Sequence, residues 1–323
     1  MSAGEQDLVR LESLSVAFPG RGQADGNGRH FRAVDDVTLD IRAGKVLGLV
    51  GESGSGKTTL AKALLRLYRP SEGRILFRGA DLARLGERAL RPYRRDLQMV
   101  FQDPLSSFNP RQTVAEALSM PLNLHGICPR AEIPRAIDAA LTRVGLPPSF
   151  GDRFPHELSG GQLQRVAIGR ALTLSPSLLV ADEAVSKLDV SVRAQILNLL
   201  KDVQEANALS ILFITHDLHV ARYLCHRIGV MYFGKLVELG PTEEIFMVPR
   251  HPYTRALLGT LDDEIVGTDE TDPTTAPPSA RGCRYASRCA HAALACTETH
   301  PPLELVAAGH AVACHRWREI VDA

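Results

Sequence analysis

The stretch Val46–Thr59, VLGLVGESGSGKTT, constrains this chain more than any other. An apolar run ends in Gly51-Glu-Ser-Gly-Ser-Gly56-Lys57-Thr58, the spacing G-x-x-x-x-G-K-[ST], and a helix-forming LAKALLRL follows. A strand that turns through glycines into a helix presents successive backbone N–H groups to an anion at the helix start. Gly51, Ser53, Gly54, Ser55, Gly56 and Thr59 are the expected phosphate cradle. Lys57 is expected to neutralise the β- and γ-phosphates, and the Thr58 hydroxyl to hold Mg²⁺.

Around this loop, short apolar runs alternate with longer helical patterns from about Leu8 to Phe246, which predicts an α/β fold with a parallel sheet covered by helices. Val46–Val50, Leu97–Phe101, Leu178–Ala181 and Ile211–Ile214 read as buried strands. Each runs directly into a polar or glycine-rich motif, and ligands of parallel sheets sit at the carboxyl ends of strands. Leu178–Ala181 ends in two acids, of which Asp182 is expected in the Mg²⁺ shell and Glu183 as the general base that polarises the attacking water. Gln102 ends another strand, and its amide can coordinate metal or water without adding charge. His216 ends a third and can donate to the γ-phosphate. Residues 114–150 read as a helical region broken by prolines at 121, 129, 134, 147 and 148, and residues 19–30 as a loop insertion.

A second phosphate-binding signal lies at Leu158–Leu172, LSGGQLQRVAIGRAL. Leu163, Val166, Ala167 and Ala171 follow helical spacing behind a start of small residues, again the geometry that favours an anion. The second site could bind a separate phosphate, or it could complete the site of a partner, and the latter is physically attractive. A γ-phosphate held on one subunit would then draw in the helix of another, and hydrolysis would release the pair.

In this order GESGSGKTT, FQD, LSGGQ, LLVADE, SKLD and FITHD resemble the nucleotide-binding subunit of an ABC transporter, over roughly residues 8–246. The resemblance implies a P-loop ATPase core at 1–246, with a helical subdomain at about 103–172. It also implies a head-to-tail dimer with two ATP molecules sandwiched between phosphate loop and opposing signature. In that reading Ser159, Gly160, Gly161 and Gln162 serve the partner's nucleotide, Asp189 communicates across the interface, and Phe18 stacks on adenine. Two positions depart from the family pattern: Ala184 replaces a proline after Glu183, and Lys187 replaces a small residue before Leu188-Asp189. Slower turnover than in relatives, or a Lys187 pair with a partner acid, is expected. ATPase rates of Ala184→Pro and Lys187→Ala that match wild type would remove both ideas.

The remainder of the chain is a C-terminal extension, residues 247–323. Between Asp262 and Ala280 there are six acidic residues, three prolines and no Lys or Arg, so 262–281 reads as a linker. Beyond it stand Cys283, Cys289, Cys296 and Cys314, separated by five, six and seventeen residues. Four thiols suggest a metal site; a C-x₂₋₄-C pair usual for structural zinc is missing, and four cysteines also suit an iron–sulfur cluster. Cys128 and Cys225 stand alone and read as small hydrophobes. His251-Pro252-Tyr253, GCRYASRC, THPPL and HAVACH, with FQDPLSSFNPR and DEAVSKLDVSVRAQILNLL, resemble oligopeptide/dipeptide permease ATPases. That resemblance implies a [4Fe–4S] cluster on the four cysteines, with Zn²⁺ as the alternative. It also implies a second ATPase subunit, identical or different, two integral membrane permease subunits, and an external binding protein that delivers short peptides. Related members carry nickel, glutathione or peptide antibiotics.

Charge and composition narrow the alternatives. Lys+Arg and Asp+Glu both total 37, so no global positive field favours nucleic acid. No apolar run approaches the roughly 20 residues that span a bilayer, and MSAGEQDLVR lacks a signal pattern. The chain is therefore expected to stay in the cytoplasm with its cysteines not paired in structural disulfides, and the resemblance implies a peripheral subunit on the cytoplasmic face of the membrane. A soluble ABC ATPase acting on nucleic acid would show two fused cassettes or a basic face. A soluble ATPase with a redox- or iron-sensing tail remains the third reading.

Overall fold

The computed structural model describes residues 7–19, 30–262 and 281–321. Most of the insertion expected at 19–30 and of the linker expected at 262–281 lies outside these residues. The chain divides into two compact units, one comprising Met1–Val9, Ile41–Val46 and Phe77–Ile214, the other Arg10–Asp40, Leu47–Leu76 and Thr215–Ala323.

The first unit is built on three parallel strands, Leu97–Val100, Leu178–Asp182 and Ser210–Ile214. Leu97 pairs with Leu178 and Leu178 with Ser210, and the register holds to Val100, Ala181 and Phe213. Their carboxyl ends are therefore level, which sets Gln102 and Glu183 just beyond one edge of the sheet. Leu178–Asp182 and Ser210–Ile214 are buried at every position, as a sheet covered on both faces requires. The expected buried strand at Leu97–Phe101 is corrected in one respect: it is the edge strand, and Gln98 and Met99 are only half-buried. A run of apolar residues does not reveal that one side of a strand lacks a neighbour.

From residue 101 to residue 176 the unit contains helices and turns but no strand. The helix Val114–His125 opens on a capping box, in which Thr113 Oγ1 accepts the Glu116 N–H and Glu116 Oε2 accepts the Thr113 N–H. It closes on Gly126 in the left-handed region. It also runs through Pro121, contrary to the expected break. One intrahelical bond is lost there, and burial of Val114, Ala117, Leu118 and Leu122 along the inner face outweighs it. Pro134 falls in the first turn of Ile133–Arg143, where a proline costs no hydrogen bond.

In the second unit, Val46–Val50 pairs in parallel with Arg227–Tyr232, Leu47 opposite Arg227 and Val50 opposite Val230. Lys235–Pro241 returns antiparallel to Arg227–Tyr232. The C-terminal residues then extend this sheet: His310–Val312 adds antiparallel to Lys235–Pro241, and Glu304–Ala307 pairs antiparallel with His310–Val312. A second sheet places Asp7–Pro19 between His30–Arg42 and Glu72–Phe77.

Candidate functional site

The strand Val46–Val50 delivers the chain into a loop whose glycines have distinct physical reasons. Gly51 has φ +146°, and a Cβ there would lie 2.2 Å from the Met231 carbonyl oxygen. Gly56, at φ +103°, caps the helix Lys57–Leu64, and a Cβ there would lie 2.4 Å from the Ala33 carbonyl oxygen. No other residue fits either place. The loop wraps around the buried Lys57 ammonium, which donates to Gly51 O at 2.7 Å, Glu52 O at 2.7 Å and Ser55 Oγ at 3.1 Å. Ser53 and Gly54 stay exposed at the rim, and Thr58 and Thr59 are half-buried in the first turn of the helix, whose N-terminus carries the positive end of the dipole. Phe18 lies in the same unit, edge-on to Tyr68 at 5.4 Å between ring centroids, with Lys62 Nζ 5.6 Å from the Tyr68 centroid. His216 is exposed after Thr215, whose N–H donates to Leu49 O at 3.2 Å, and Asp217 caps the helix Leu218–Leu224.

The first unit holds the carboxylates. Asp182 is buried at the strand end, and Glu183 follows at φ +47°, a left-handed conformation rare for a residue with a side chain. Its backbone is pinned, since the Glu183 N–H donates to Ile214 O at 3.0 Å and its carbonyl accepts the Ser186 N–H at 3.1 Å and the Ser186 hydroxyl at 3.0 Å. These bonds hold the turn without a proline, with Ala184 buried and Lys187 exposed. Gln102 Nε2 donates to Glu183 Oε2 at 2.5 Å, which brings together two residues 81 positions apart.

The signature segment forms the start of the helix Gly160–Leu172. Ser159 Oγ accepts the Gln162 N–H at 3.3 Å and Gln162 Oε1 accepts the Ser159 N–H at 3.0 Å, a capping box that the S-x-x-Q spacing could have announced. Ser159 and Gly160 are exposed, whereas Gly161 is buried, and a Cβ at Gly161 would lie 2.3 Å from Val192 Cγ1. Val192 belongs to the helix Val190–Asn207, which Asp189 caps by accepting the Val192 N–H at 2.9 Å. That bond and the Ser191 hydroxyl hold the Asp189 carboxyl below the usual carboxylate range. The signature turn and the loop at Asp189 are thus packed on each other. Gly161→Ala is expected to cost about 1–3 kcal/mol of stability, because the β-branched Val192 has no spare rotamer in a helix, and urea unfolding measures it.

The C-terminal residues bring Cys283, Cys289, Cys296 and Cys314 to the wall of one pocket, together with His251, Tyr285 and His315. Burial, reinforced by the neighbouring thiols, raises the pKa values of Cys283, Cys289 and Cys314, the last to about 11. Among the described residues no group of three His, Cys, Asp or Glu is placed to hold a metal ion. Cys225 is a buried thiol that burial alone pushes well above its ordinary value, and Cys128 is half-buried.

Sequence reasoning missed the residues that join this region to the phosphate loop. Tyr253 is buried and its hydroxyl accepts the Glu52 N–H at 2.9 Å; Arg288 pairs with the Glu52 carboxylate at 3.3 Å. Asp35 bridges Arg284 at 2.5 Å and Lys235 at 3.2 Å. Burial pushes the Asp35 carboxyl up, but Lys235, Arg284 and Arg32 outweigh it and hold the pKa below its ordinary 3.8. That stabilisation is complete above the unfolded value and is lost as pH falls through the lower folded value. Asp35→Asn is therefore expected to reduce stability at neutral pH, with the gap to wild type closing in acid below about pH 3.8, as denaturant titrations at several pH values would read.

Residues 34–186 match the family described as ABC transporter, and residues 237–296 the one described as the oligopeptide/dipeptide transporter C-terminal region. The chain is 43% identical over 328 residues to an oligopeptide transport ATP-binding protein of Bacillus subtilis, covering 98% of this chain and 99% of that protein. It is 47% identical over 321 residues to a putative peptide import ATP-binding protein of Brucella ovis, covering 97% and 98%. Among solved structures it is similar to a subunit of a Clostridium perfringens ABC transporter complex, with TM-score 0.65, 29% identity, and 75% and 91% of the two chains covered. A dimeric ATP-binding cassette in a post-hydrolysis state with ADP and phosphate matches at TM-score 0.65 and 30% identity, covering 72% and 98%.

Proposed function

This chain belongs to the ABC transporter ATP-binding family, and from that premise we propose that it hydrolyses ATP to energise import of di- or oligopeptides. The observation that carries the nucleotide reading is the loop closed around Lys57, whose Gly51 and Gly56 no side chain can replace. Lys57 and the loop amides hold the phosphates. The Thr58 hydroxyl, the Asp182 carboxylate and the Gln102 amide are hard oxygen donors of the kind Mg²⁺ takes, and the ion supplies charge neutralisation when bound. Glu183 accepts a proton from the attacking water, and His216 donates to the γ-phosphate. Phe18 stacks on the adenine.

The helix start at Ser159-Gly160 is exposed, and a solvent-open helix N-terminus favours an anion, which supports a sandwich dimer. A second ATPase subunit, identical or different, supplies the opposing loop. Leu105, Met120 and Leu124, each more than half exposed, offer apolar footing for two integral membrane permease subunits. Among the described residues no helix is long and apolar enough to cross a membrane, which suits a peripheral subunit on the cytoplasmic face. An external binding protein then delivers the peptide.

For the C-terminal cysteines the proposed group is a [4Fe–4S] cluster. Four thiols line one pocket, and four cysteine ligands suit such a cluster, with Zn²⁺ as the alternative.

Purification with the membrane subunits, followed by ATPase assays with and without peptide-loaded binding protein, tests the function. Stimulation by loaded binding protein is expected. Failure to associate with any integral membrane subunit would count against an importer. The same preparation should be brown and contain iron and sulfide; a colourless zinc preparation would overturn the cluster.

A further inference from the structure

Glu52 occupies a variable place in the phosphate loop, yet its backbone and side chain are gripped from three directions. Its carbonyl accepts from Lys57 Nζ at 2.7 Å, its N–H donates to the Tyr253 hydroxyl at 2.9 Å, and its carboxylate pairs with Arg288 at 3.3 Å. The last two partners come from the C-terminal region, 201 and 236 positions away. Tyr253 is itself fixed, packed against Tyr232 at 4.5 Å and Tyr285 at 5.4 Å between centroids, and Tyr285 lines the cysteine pocket. Arg288 adjoins Cys289 in the chain.

We propose that Tyr253 and Arg288 are positioning residues of the phosphate loop, acting through Glu52, so that nucleotide affinity is set in part by the C-terminal region. The inference rests on the reading of Gly51–Thr58 as the nucleotide site. Ser53 and Gly54 are exposed, and at Gly54 nothing lies within 4 Å of where a Cβ would stand, so the rim of the loop has little packing of its own. A hydrogen bond that satisfies the Glu52 N–H and an ion pair on its side chain keep the loop wound before the nucleotide arrives. If the wound fraction drops, the apparent affinity drops by the same factor, while the chemistry of the bound complex is untouched.

The test uses the full-length protein and the fluorescent analogue mant-ATP with Mg²⁺, with ATPase rates measured alongside. Tyr253→Phe keeps the ring packing and removes only the acceptor. It is expected to raise Kd and KM about tenfold while kcat at saturating ATP stays within about twofold. Arg288→Gln is expected to raise Kd about threefold, with Arg288→Lys recovering most of the loss. A Tyr253→Phe protein that melts at a lower temperature but binds mant-ATP within twofold of wild type would overturn the proposal, since the residue would then be structural only. If Tyr253→Phe does not fold, Arg288→Gln decides, and an unchanged Kd overturns the proposal. Wild-type protein that binds no mant-ATP would instead overturn the nucleotide reading on which the inference stands.

Discussion

Glu183→Gln is expected to lower kcat for ATP hydrolysis by about 10³-fold while leaving the Kd for MgATP within a few-fold of wild type. The substitution isolates proton chemistry from geometry. Glu183 holds a left-handed backbone, pinned at its N–H by Ile214 O and at its carbonyl by Ser186, and none of those bonds involves the carboxyl. The carboxyl accepts from Gln102 Nε2 at 2.5 Å, and a glutamine at 183 still offers an oxygen to that donor. An amide of the same shape therefore sits in the same place without the basicity to take a proton from water. Single-turnover rates and equilibrium binding, measured on the same preparation, separate the two effects. A kcat within tenfold of wild type would move the role of general base elsewhere.

What was legible in the sequence is what local constraint dictates. Gly51 and Gly56 announce themselves because only glycine takes those φ values against a neighbouring carbonyl, and the motif records that necessity within eight residues. The strand Leu178–Asp182 is legible because burial on both faces demands an unbroken apolar run. What was hidden depends on partners far along the chain. Nothing near Glu52 indicates that Tyr253, 201 positions on, takes its N–H. The sequence assigns Ser159 and Asp189 to a partner subunit, whereas both also cap helices of their own unit, a structural duty visible in S-x-x-Q and in an acid before a helical run. Pro121 signals a break in the sequence because propensity is local, and the packing that overrides it is not.

The second large effect is on stability. Glu238→Ala is expected to destabilise the protein by about 3–5 kcal/mol, read from urea unfolding of the full chain. Glu238 is fully buried beside a register shift in Lys235–Pro241, a place where sequence alone would expect an apolar residue. Its Oε1 accepts the Arg250 N–H at 2.7 Å and meets His310 Nε2 at 2.8 Å, and its Oε2 accepts the His251 N–H at 3.0 Å. Removing the carboxylate leaves these three donors buried without their acceptor and opens a cavity. The consequences run in two directions. His310 lies in the strand that joins the C-terminal hairpin to the sheet, so that pairing loosens. His251 Nδ1 accepts the Tyr253 N–H at 3.0 Å at the start of the helix Pro252–Asp262. Burial holds its pKa near 4 against the pull of Glu238, which keeps the ring neutral and able to accept. Glu238→Gln retains the volume and one acceptor oxygen and should lose less than the alanine variant. If both variants unfold at the wild-type urea midpoint, the carboxylate does not hold the C-terminal strand to the sheet.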